Sequence, residues 1–287
     1  VGLEGVAIGE RAYQQALAFA LERRQGKPFG YKQMAPIAAH ADVRRMLLTM
    51  KSLVQAARGI CYANAAAIDM SRAAKDEAGR AWAKARADLL TPISKAWGTE
   101  IGVEAASIGI QIHGGMGYIE ETGAAQYLRD ARIAPIYEGA NGIQAIDLVI
   151  RKLPMLGGRV VREFIAEMRA TAQTCASANR PELKSIGAEL GSALDALQTA
   201  TDWMLASATD APNDCLAGAT PYLRLAGIAS GGYFLARNAL ACACDSAAST
   251  HGESIIGTAL FFASNQLPLA AGFAASAMAG AVNLFAV

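Results

Sequence analysis

Residues 42–61 read DVRRMLLTMKSLVQAARGIC. Val43, Met46, Leu47, Met50, Leu53, Val54, Ala57, Ile60 and Cys61 fall at spacings of three and four for about five turns. That spacing puts the apolar side chains on one face of a helix, whereas a strand would alternate them. Asp42 is the expected N-cap. Upstream, Tyr13, Ala16, Leu17, Ala20 and Leu21 give a second amphipathic helix among Arg11, Gln14, Gln15, Glu22, Arg23 and Arg24. It should end near Gly26, with Pro28 and Gly30 marking a connection. Downstream, the polar stretch 70–83 reads as a loop or frayed helix, and a third long helix should span Lys84–Ile112 with a break or kink near Pro92. A glycine-rich loop at His113–Tyr118, a short helix at 124–131, an extended connection at Ile133–Gly139 and a helix over Asn141–Lys152 follow.

Pro154–Gly158 reads as a boundary. Beyond it, Val161, Phe164, Ile165, Met168, Ala172 and Cys175 mark one helix, and Leu183, Ile186, Leu190, Leu194, Leu197 and Met204 another. Asp210–Asn213 is a turn cluster, and two or three more helices should fill the remainder. No repeat and no period-two segment is present. The expected fold is all-α: an up-down helical bundle over 1–153 followed by a second helical bundle over 154–287.

The 287 residues carry 26 Lys+Arg against 25 Asp+Glu, a net charge of +1 that excludes a strong electrostatic attraction to nucleic acid or anionic membranes. Five cysteines at 61, 175, 215, 242 and 244 show no disulfide spacing, and the Cys242-x-Cys244 pair points to different helix faces. They read as small buried thiols of a reducing compartment, and the charged opening segment lacks a signal-peptide core. A cytoplasmic location is expected. The last 34 residues, after Glu253, have no charge. Leu267–Val287 is long enough for a membrane span. Its Ala, Gly and Ser content, Asn283 and missing basic or aromatic flanks favour a core or interface helix instead. A Val start running almost at once into a helical pattern suggests a piece of a longer polypeptide.

Chemistry-bearing residues concentrate between Gln111 and Gln144, in Gln111-Ile-His-Gly-Gly-Met-Gly-Tyr118, Tyr127-Leu-Arg-Asp-Ala-Arg-Ile133 and Ile136-Tyr-Glu-Gly-Ala-Asn-Gly-Ile-Gln144. Gly114, Gly115 and Gly117 permit close backbone approach to a ligand such as a pyrophosphate, or a tight interhelical turn. Glu138, between Tyr137 and Gly139, could be a helix-start carboxylate or, in an apolar pocket, a general base with a raised pKa. Arg23 suits a phosphate or a solvated ion pair. His113 suits packing better than ligand binding. His40, His113 and His251 have no metal spacing, so no metal site is expected, and no nucleophile elbow or phosphate-binding P-loop is present.

Together these segments resemble the acyl-CoA dehydrogenase family, in its C-terminal helical domain. Glu22-Arg-Arg-Gln-Gly26 is similar to that family's Glu-Arg-x-x-(Phe)-Gly, and Gln111–Tyr118 to its Gln-x-x-Gly-Gly-x-Gly loop. Arg129-Asp130-Ala131 is similar to its Arg-Asp-Ala helix, and Tyr137-Glu138-Gly139 to its Tyr-Glu-Gly. The likeness covers 1–153. Gly218-Ala-Thr-Pro-Tyr-Leu-Arg-Leu225 and Gly231-Gly-Tyr-Phe-Leu-Ala-Arg237 resemble the helical C-terminal extension of a subgroup that includes long-chain and methylthio-acyl enzymes.

The resemblance implies an FAD-dependent oxidoreductase that dehydrogenates an acyl-CoA thioester to a trans-2-enoyl-CoA and passes electrons to an electron-transfer flavoprotein. Glu138 would be the base, and its backbone N–H would polarise the thioester carbonyl. Tyr137 and Gly139 would meet substrate. Arg23 would reach the FAD pyrophosphate of a neighbouring subunit, with Gln25 nearby. Gln111, Gly114 and Gly115 would hold the adenosine diphosphate end, so a homo-oligomer, dimer or tetramer, is implied.

The sequence also departs from the family's pattern. Ala140 and Gly142 replace a Thr and a Gln that help hold FAD, and Asn141 is the candidate replacement. Gly26 follows Gln25 directly where an aromatic is usual. The family's N-terminal helical and middle β domains are absent from these residues, so the chain alone is expected to be inactive. Two other readings compete: a non-catalytic helical subunit paired with a flavin-bearing partner, and a membrane-surface scaffold using the uncharged tail.

Overall fold

The computed structural model describes residues 1–244 and 249–285. Its first three helices, α1 (Gly2–Glu22), α2 (Ala41–Ala73) and α3 (Glu77–His113), run up, down and up. The apolar stripe of residues 43–61 lies on α2, with Met50, Leu53, Val54, Ala57 and Ile60 buried. α1 lies almost backbone-to-backbone on α3. A Cβ on Gly5 would sit 2.3 Å from the Gly98 carbonyl oxygen, and one on Gly102 would sit 2.6 Å from that of Gly5. Only glycine permits that approach.

The chain then passes through α4 (Gly115–Tyr118), α5 (Ala124–Ala131) and α6 (Asn141–Asp147), which continues as a π-helical turn at Leu148–Lys152. After a turn with Leu156 and Gly157 at positive φ, α7 (Arg159–Ser177) and α8 (Pro181–Asp210) form a hairpin. α9 (Pro212–Ala217), α10 (Ala219–Cys244), α11 (Thr250–Asn265) and α12 (Leu269–Ala277) complete the described chain, and α10 packs against α2, α3, α8, α11 and α12. One contiguous hydrophobic core joins Met50, Ile60 and Trp97 to Leu190, Tyr222 and Phe262. Gly227 and Gly231 of α10 lie on the Trp97 indole, where added Cβ atoms would sit 2.4 and 2.9 Å from ring carbons, and Arg224 donates to Glu100 at 2.9 Å. No strand is present among the described residues; Arg24 and Pro36 make an isolated bridge.

The all-α expectation holds, with local corrections. His40, not Asp42, precedes α2; Asp42 sits in the first turn and pairs with Arg45 at 2.8 Å, where a negative charge still suits the helix dipole. Residues 70–83 are mostly helical. α2 runs to Ala73, and Asp76 caps α3 by accepting from the Gly79 N–H at 2.6 Å. A solvated helix end shows no apolar period, so the sequence hid it. α3 continues through Pro92 unbroken. The glycine segment is not a loop: Gly114 alone leaves the helix (φ 61°, ψ −140°), and one helical turn follows. Residues 133–139 form tight turns rather than an extended strand, with the Tyr137 N–H on the Ile133 carbonyl at 3.1 Å.

In the uncharged tail the described helices are α11 and the nine-residue α12. No single helix among the described residues is long and apolar enough to cross a membrane; α11 and α12 reach that length together but meet at 46°. Leu267, Ala270, Ala274 and Ala277 are buried in the core. Residues 286–287 of the tail lie outside the described residues.

Cys61, Cys175 and Cys215 are buried and free, and the side chain of Cys244 lies outside the described residues. Burial pushes the Cys61 and Cys175 thiols up to about 11. Both should therefore resist iodoacetamide at pH 8 in the folded protein and react on denaturation, read by mass spectrometry of quenched samples. Fast alkylation of either under native conditions would contradict the packing.

Candidate active site

The site begins with a strained residue. Glu138 has φ 56° and Gly139 φ 81°, two consecutive left-handed positions at the approach to α6. For a residue with a side chain this costs about 1–2 kcal/mol and persists only where the surroundings enforce it. Here both flanks are tied down. On one side the Tyr137 hydroxyl donates to the Glu4 carboxylate of α1. That bond keeps the Tyr137 phenol protonated to higher pH than an isolated tyrosine. On the other side Asn141 is fastened to α3. Its Nδ2 donates to the Ala96 carbonyl at 3.0 Å, its Oδ1 accepts from Lys95 Nζ at 2.9 Å, and Thr99 lies within hydrogen-bonding distance. The Asn141 backbone N–H is spent on the Pro135 carbonyl at 2.9 Å.

Glu138 itself is exposed, and among the described residues its backbone N–H has no acceptor. The turn and α6 expose Ile133, Ile136, Ile143 and Ile146, with Leu3 exposed at the start of α1. This end of the molecule therefore presents a carboxylate and a free N–H donor amid apolar side chains, a composition that suits an apolar ligand with one polar group to be polarised. The described residues alone do not enclose Glu138 in an apolar pocket.

The remaining predicted residues lie at the other end of α1 and α3. The two helices run parallel: Gly2 meets Ser94, Gly9 meets Ala105, and Phe19 stacks on His113 at 4.4 Å. Arg23 and Gln25 follow α1, while Gln111, Gly114 and Gly115 end α3. From Glu4 to Phe19 is about 22 Å of helix. The structure thus groups Tyr137, Glu138, Gly139 and Asn141 at one end and Arg23, Gln25, Gln111, Gly114 and Gly115 at the other.

At that second end, among the described residues, nothing lies within 4 Å of a Cβ added to Gly114 or Gly115, and the Arg23 guanidinium makes one long 3.4 Å bond, to Gln25. The Gly114 N–H is spent on the Gln111 carbonyl at 3.1 Å, but the space beside both glycines is open to a ligand. By contrast, Gly117 is small for internal reasons, because a Cβ would sit 2.4 Å from the Ile110 carbonyl. His113 is buried, with Nδ1 on the Gly109 carbonyl at 2.7 Å, and so has a packing role. His40 Nε2 bonds the Gln25 carbonyl at 2.8 Å. Among the described residues no three His, Cys, Asp or Glu side chains group as metal ligands.

Sequence reasoning missed Lys95, Thr99 and Glu4. No motif marks Glu4 or Lys95, and only the paths of α1 and α3 past the 137–141 turn show what they hold. The Asn141 side chain, expected on the cofactor, is instead spent inside the bundle.

Residues 1–153 match the family model described as acyl-CoA dehydrogenase, C-terminal domain, and residues 164–287 the one described as acetyl-CoA dehydrogenase C-terminal like. The chain is 44% identical over 272 residues to a 3-methylmercaptopropionyl-CoA dehydrogenase of Ruegeria pomeroyi, covering 93% of this chain and 46% of that relative. It therefore spans about half the length of the relative it matches. Among solved structures, Caenorhabditis elegans ACDH-11 in complex with C11-CoA superposes with a TM-score of 0.74 at 20% identity, over 92% of this chain and 42% of that one. An acyl-CoA dehydrogenase from Bacillus anthracis complexed with FAD superposes with a TM-score of 0.73 at 17% identity, over 96% and 47%. At these identities the superpositions show the shared helical fold.

Proposed function

The chain belongs to the acyl-CoA dehydrogenase family, and from that premise we propose that it is the C-terminal helical part of an FAD-dependent enzyme that converts an acyl-CoA thioester to its trans-2-enoyl-CoA. The observation that carries this reading is Glu138, exposed at positive φ on a turn fastened to α1 and α3 and flanked by apolar side chains.

The residues present suit FAD. Gly114 and Gly115 leave open space for a pyrophosphate or adenosine group beside Gln111 at the end of α3, and Arg23 and Gln25 follow the end of α1. When bound, FAD supplies the acceptor for the hydride that leaves the substrate β carbon. The protein's own residues do the rest. The Glu138 carboxylate takes the α proton, and the electrons of that C–H bond become the Cα–Cβ double bond. The free Glu138 N–H donates to the thioester oxygen as negative charge builds on it. Tyr137, held by Glu4, forms a wall beside the acyl chain. The carboxylate becomes a stronger base once substrate and the covering parts of the enzyme exclude water from this face.

The two groups of residues about 22 Å apart along α1 fit a site completed between two copies of the chain, one giving Glu138 and the other Arg23 and Gln111. An electron-transfer flavoprotein is the partner that would take the electrons from the complete enzyme. The test is a visible absorption spectrum of the complete protein, before and after anaerobic addition of a mixed acyl-CoA set. A flavin band that bleaches is the expected result; a bound flavin that no acyl-CoA reduces would refute the reading.

A further inference from the structure

Three helices drawn from both halves of the chain, α2, α10 and α11, border a groove of about 610 Å³ that shares no residue with the site described above. Its apolar lining is made of small residues and one ring. Gly59 admits Phe234, because a Cβ there would sit 2.7 Å from the Phe234 Cβ, and Ala63 and Ala241 lie beside them. Its polar lining follows helical spacing. Gln55, Arg58 and Tyr62 stand three and four residues apart on α2, with Arg237 and Asn238 from α10 and His251 from α11. The charge is one-sided. No Asp or Glu among the described residues lines the groove, although the whole chain has a net charge of only +1. Glu10 of α1 holds Arg58 through one nitrogen, Nη2, at 2.8 Å, and among the described residues the rest of that guanidinium has no bond. The Arg237 guanidinium makes one 3.4 Å bond, to the Tyr233 hydroxyl, and lies 5.6 Å from that ring. Lys51, one turn before Gln55, sits next to the groove with its Nζ on Ser254 Oγ at 3.0 Å. A cleft of one charge sign with apolar walls concentrates its field on an anion.

We propose that this groove is a second binding site, for a phosphorylated nucleoside: Arg58 and Arg237 hold the phosphates, and the Tyr62 ring with the Gln55 and Asn238 amides holds the base. The occupant follows from the lining. A guanidinium fork matches a pair of phosphate oxygens. Tyr62 is 59% exposed and offers a flat face, and each amide carries both a donor and an acceptor for the edge of a base. Inorganic phosphate would leave the ring and the amides idle, and an uncharged ligand would use neither arginine. The volume is that of a small-molecule site. Two sources share this chemistry, a free nucleoside diphosphate and the phosphoadenosine end of a coenzyme A molecule. The site does not depend on the role of Glu138. Because the groove joins α2 to α10 and α11, its occupant ties the two halves of the chain together and should raise Tm.

The experiment uses the complete protein with FAD bound, so that the flavin's own site is filled. It is titrated with ADP carrying a fluorescent methylanthraniloyl group on the ribose, with ADP, 3′-phospho-ADP and adenosine as competitors. Both phosphorylated competitors should displace the probe, and adenosine about tenfold less well. Arg237→Gln should weaken the probe about tenfold with Tm unchanged, and Arg58→Gln likewise. Added salt should weaken binding to the wild type more than to either variant. Tighter binding of ADP identifies a free nucleotide as the occupant, and tighter binding of 3′-phospho-ADP identifies coenzyme A; either result supports the site.

Wild-type affinity in Arg237→Gln overturns the proposal. So does adenosine that competes as well as ADP, or an absence of probe binding up to about 1 mM. If Arg58→Gln lowers Tm because Glu10 loses its partner, Arg237→Glu takes its place: reversed charge should abolish binding, and retained binding overturns the site. Glu138→Gln should bind the probe as the wild type does. A loss in that variant would place the nucleotide beside Glu138 instead and overturn the proposal, whereas loss of flavin reduction with binding intact leaves the groove as a separate site.

Discussion

Glu138→Gln in the complete protein should slow acyl-CoA-driven flavin reduction by about 10³-fold while FAD stays bound. The substitution keeps the size and shape of the side chain and removes its capacity to accept a proton. It should leave the turn intact, because the restraints on that turn run through other atoms. Tyr137 bonds Glu4, Asn141 bonds Ala96 and Lys95, and Gln144 approaches the Glu138 main-chain carbonyl at 3.5 Å. Stopped-flow absorbance under anaerobic conditions measures the rate, and the flavin-to-protein absorbance ratio measures retention. Undiminished reduction would move the base to another residue. Loss of flavin together with rate would mean that the carboxylate holds the turn together rather than acting on substrate.

The second large effect falls on stability. Gly5→Ala adds one methyl group, and that methyl would sit 2.3 Å from the Gly98 carbonyl oxygen and 2.7 Å from the Thr99 Cα. Both neighbours are backbone, so no side chain can swing away, and α1 must lift off α3. Overpacking of this kind costs about 2–3 kcal/mol, which for a chain of this size lowers Tm by roughly 6 °C. Gly191→Ala, within α8, is the control: nothing lies within 4 Å of its added Cβ, and loss of a helical glycine should raise stability by about 0.5–1 kcal/mol. Thermal melts of the two variants should thus shift in opposite directions. If both rise, the α1–α3 approach is less tight than the structure shows. Lifting α1 would also draw Glu4 from Tyr137, so Gly5→Ala should loosen the turn that carries Glu138.

Much of this architecture was legible in the residues. The apolar periods of α2, α7 and α8 are long, and spacing names most of their large buried side chains; on α1 it names Ala16 and Ala20 but misses Val6 and Ala12 and includes Leu21, which is exposed. What the sequence hid has physical causes. The last turn of α2 and the first turn of α3 are mostly solvated and so carry no apolar period. The residues 133–139 look extended because Pro135 and Gly139 break helical spacing, yet bonds between near neighbours curl them into turns. In the site, Glu138 stood out because its flanking residues are distinctive. Lys95, Thr99 and Glu4 did not, because no motif surrounds them and their importance lies in which helix passes which turn. The close contact of α1 with α3 could have been suspected from Gly2, Gly5 and Gly9 facing Gly98 and Gly102, a pairing visible only when both helices are read together.

The seat of Trp97 on Gly227 and Gly231 has a consequence for how this sequence can change over generations. The indole fills the space that the two missing side chains leave, so neither partner is free to vary alone. An alanine at Gly227 is harmful beside tryptophan and harmless beside a smaller residue, while shrinking the tryptophan opens a void that only a larger residue on α10 can close. Positions more than a hundred residues apart in the chain therefore share one inheritance. The join between the first helices and the last is kept by mutual constraint, and drift at either side is held in check by the other.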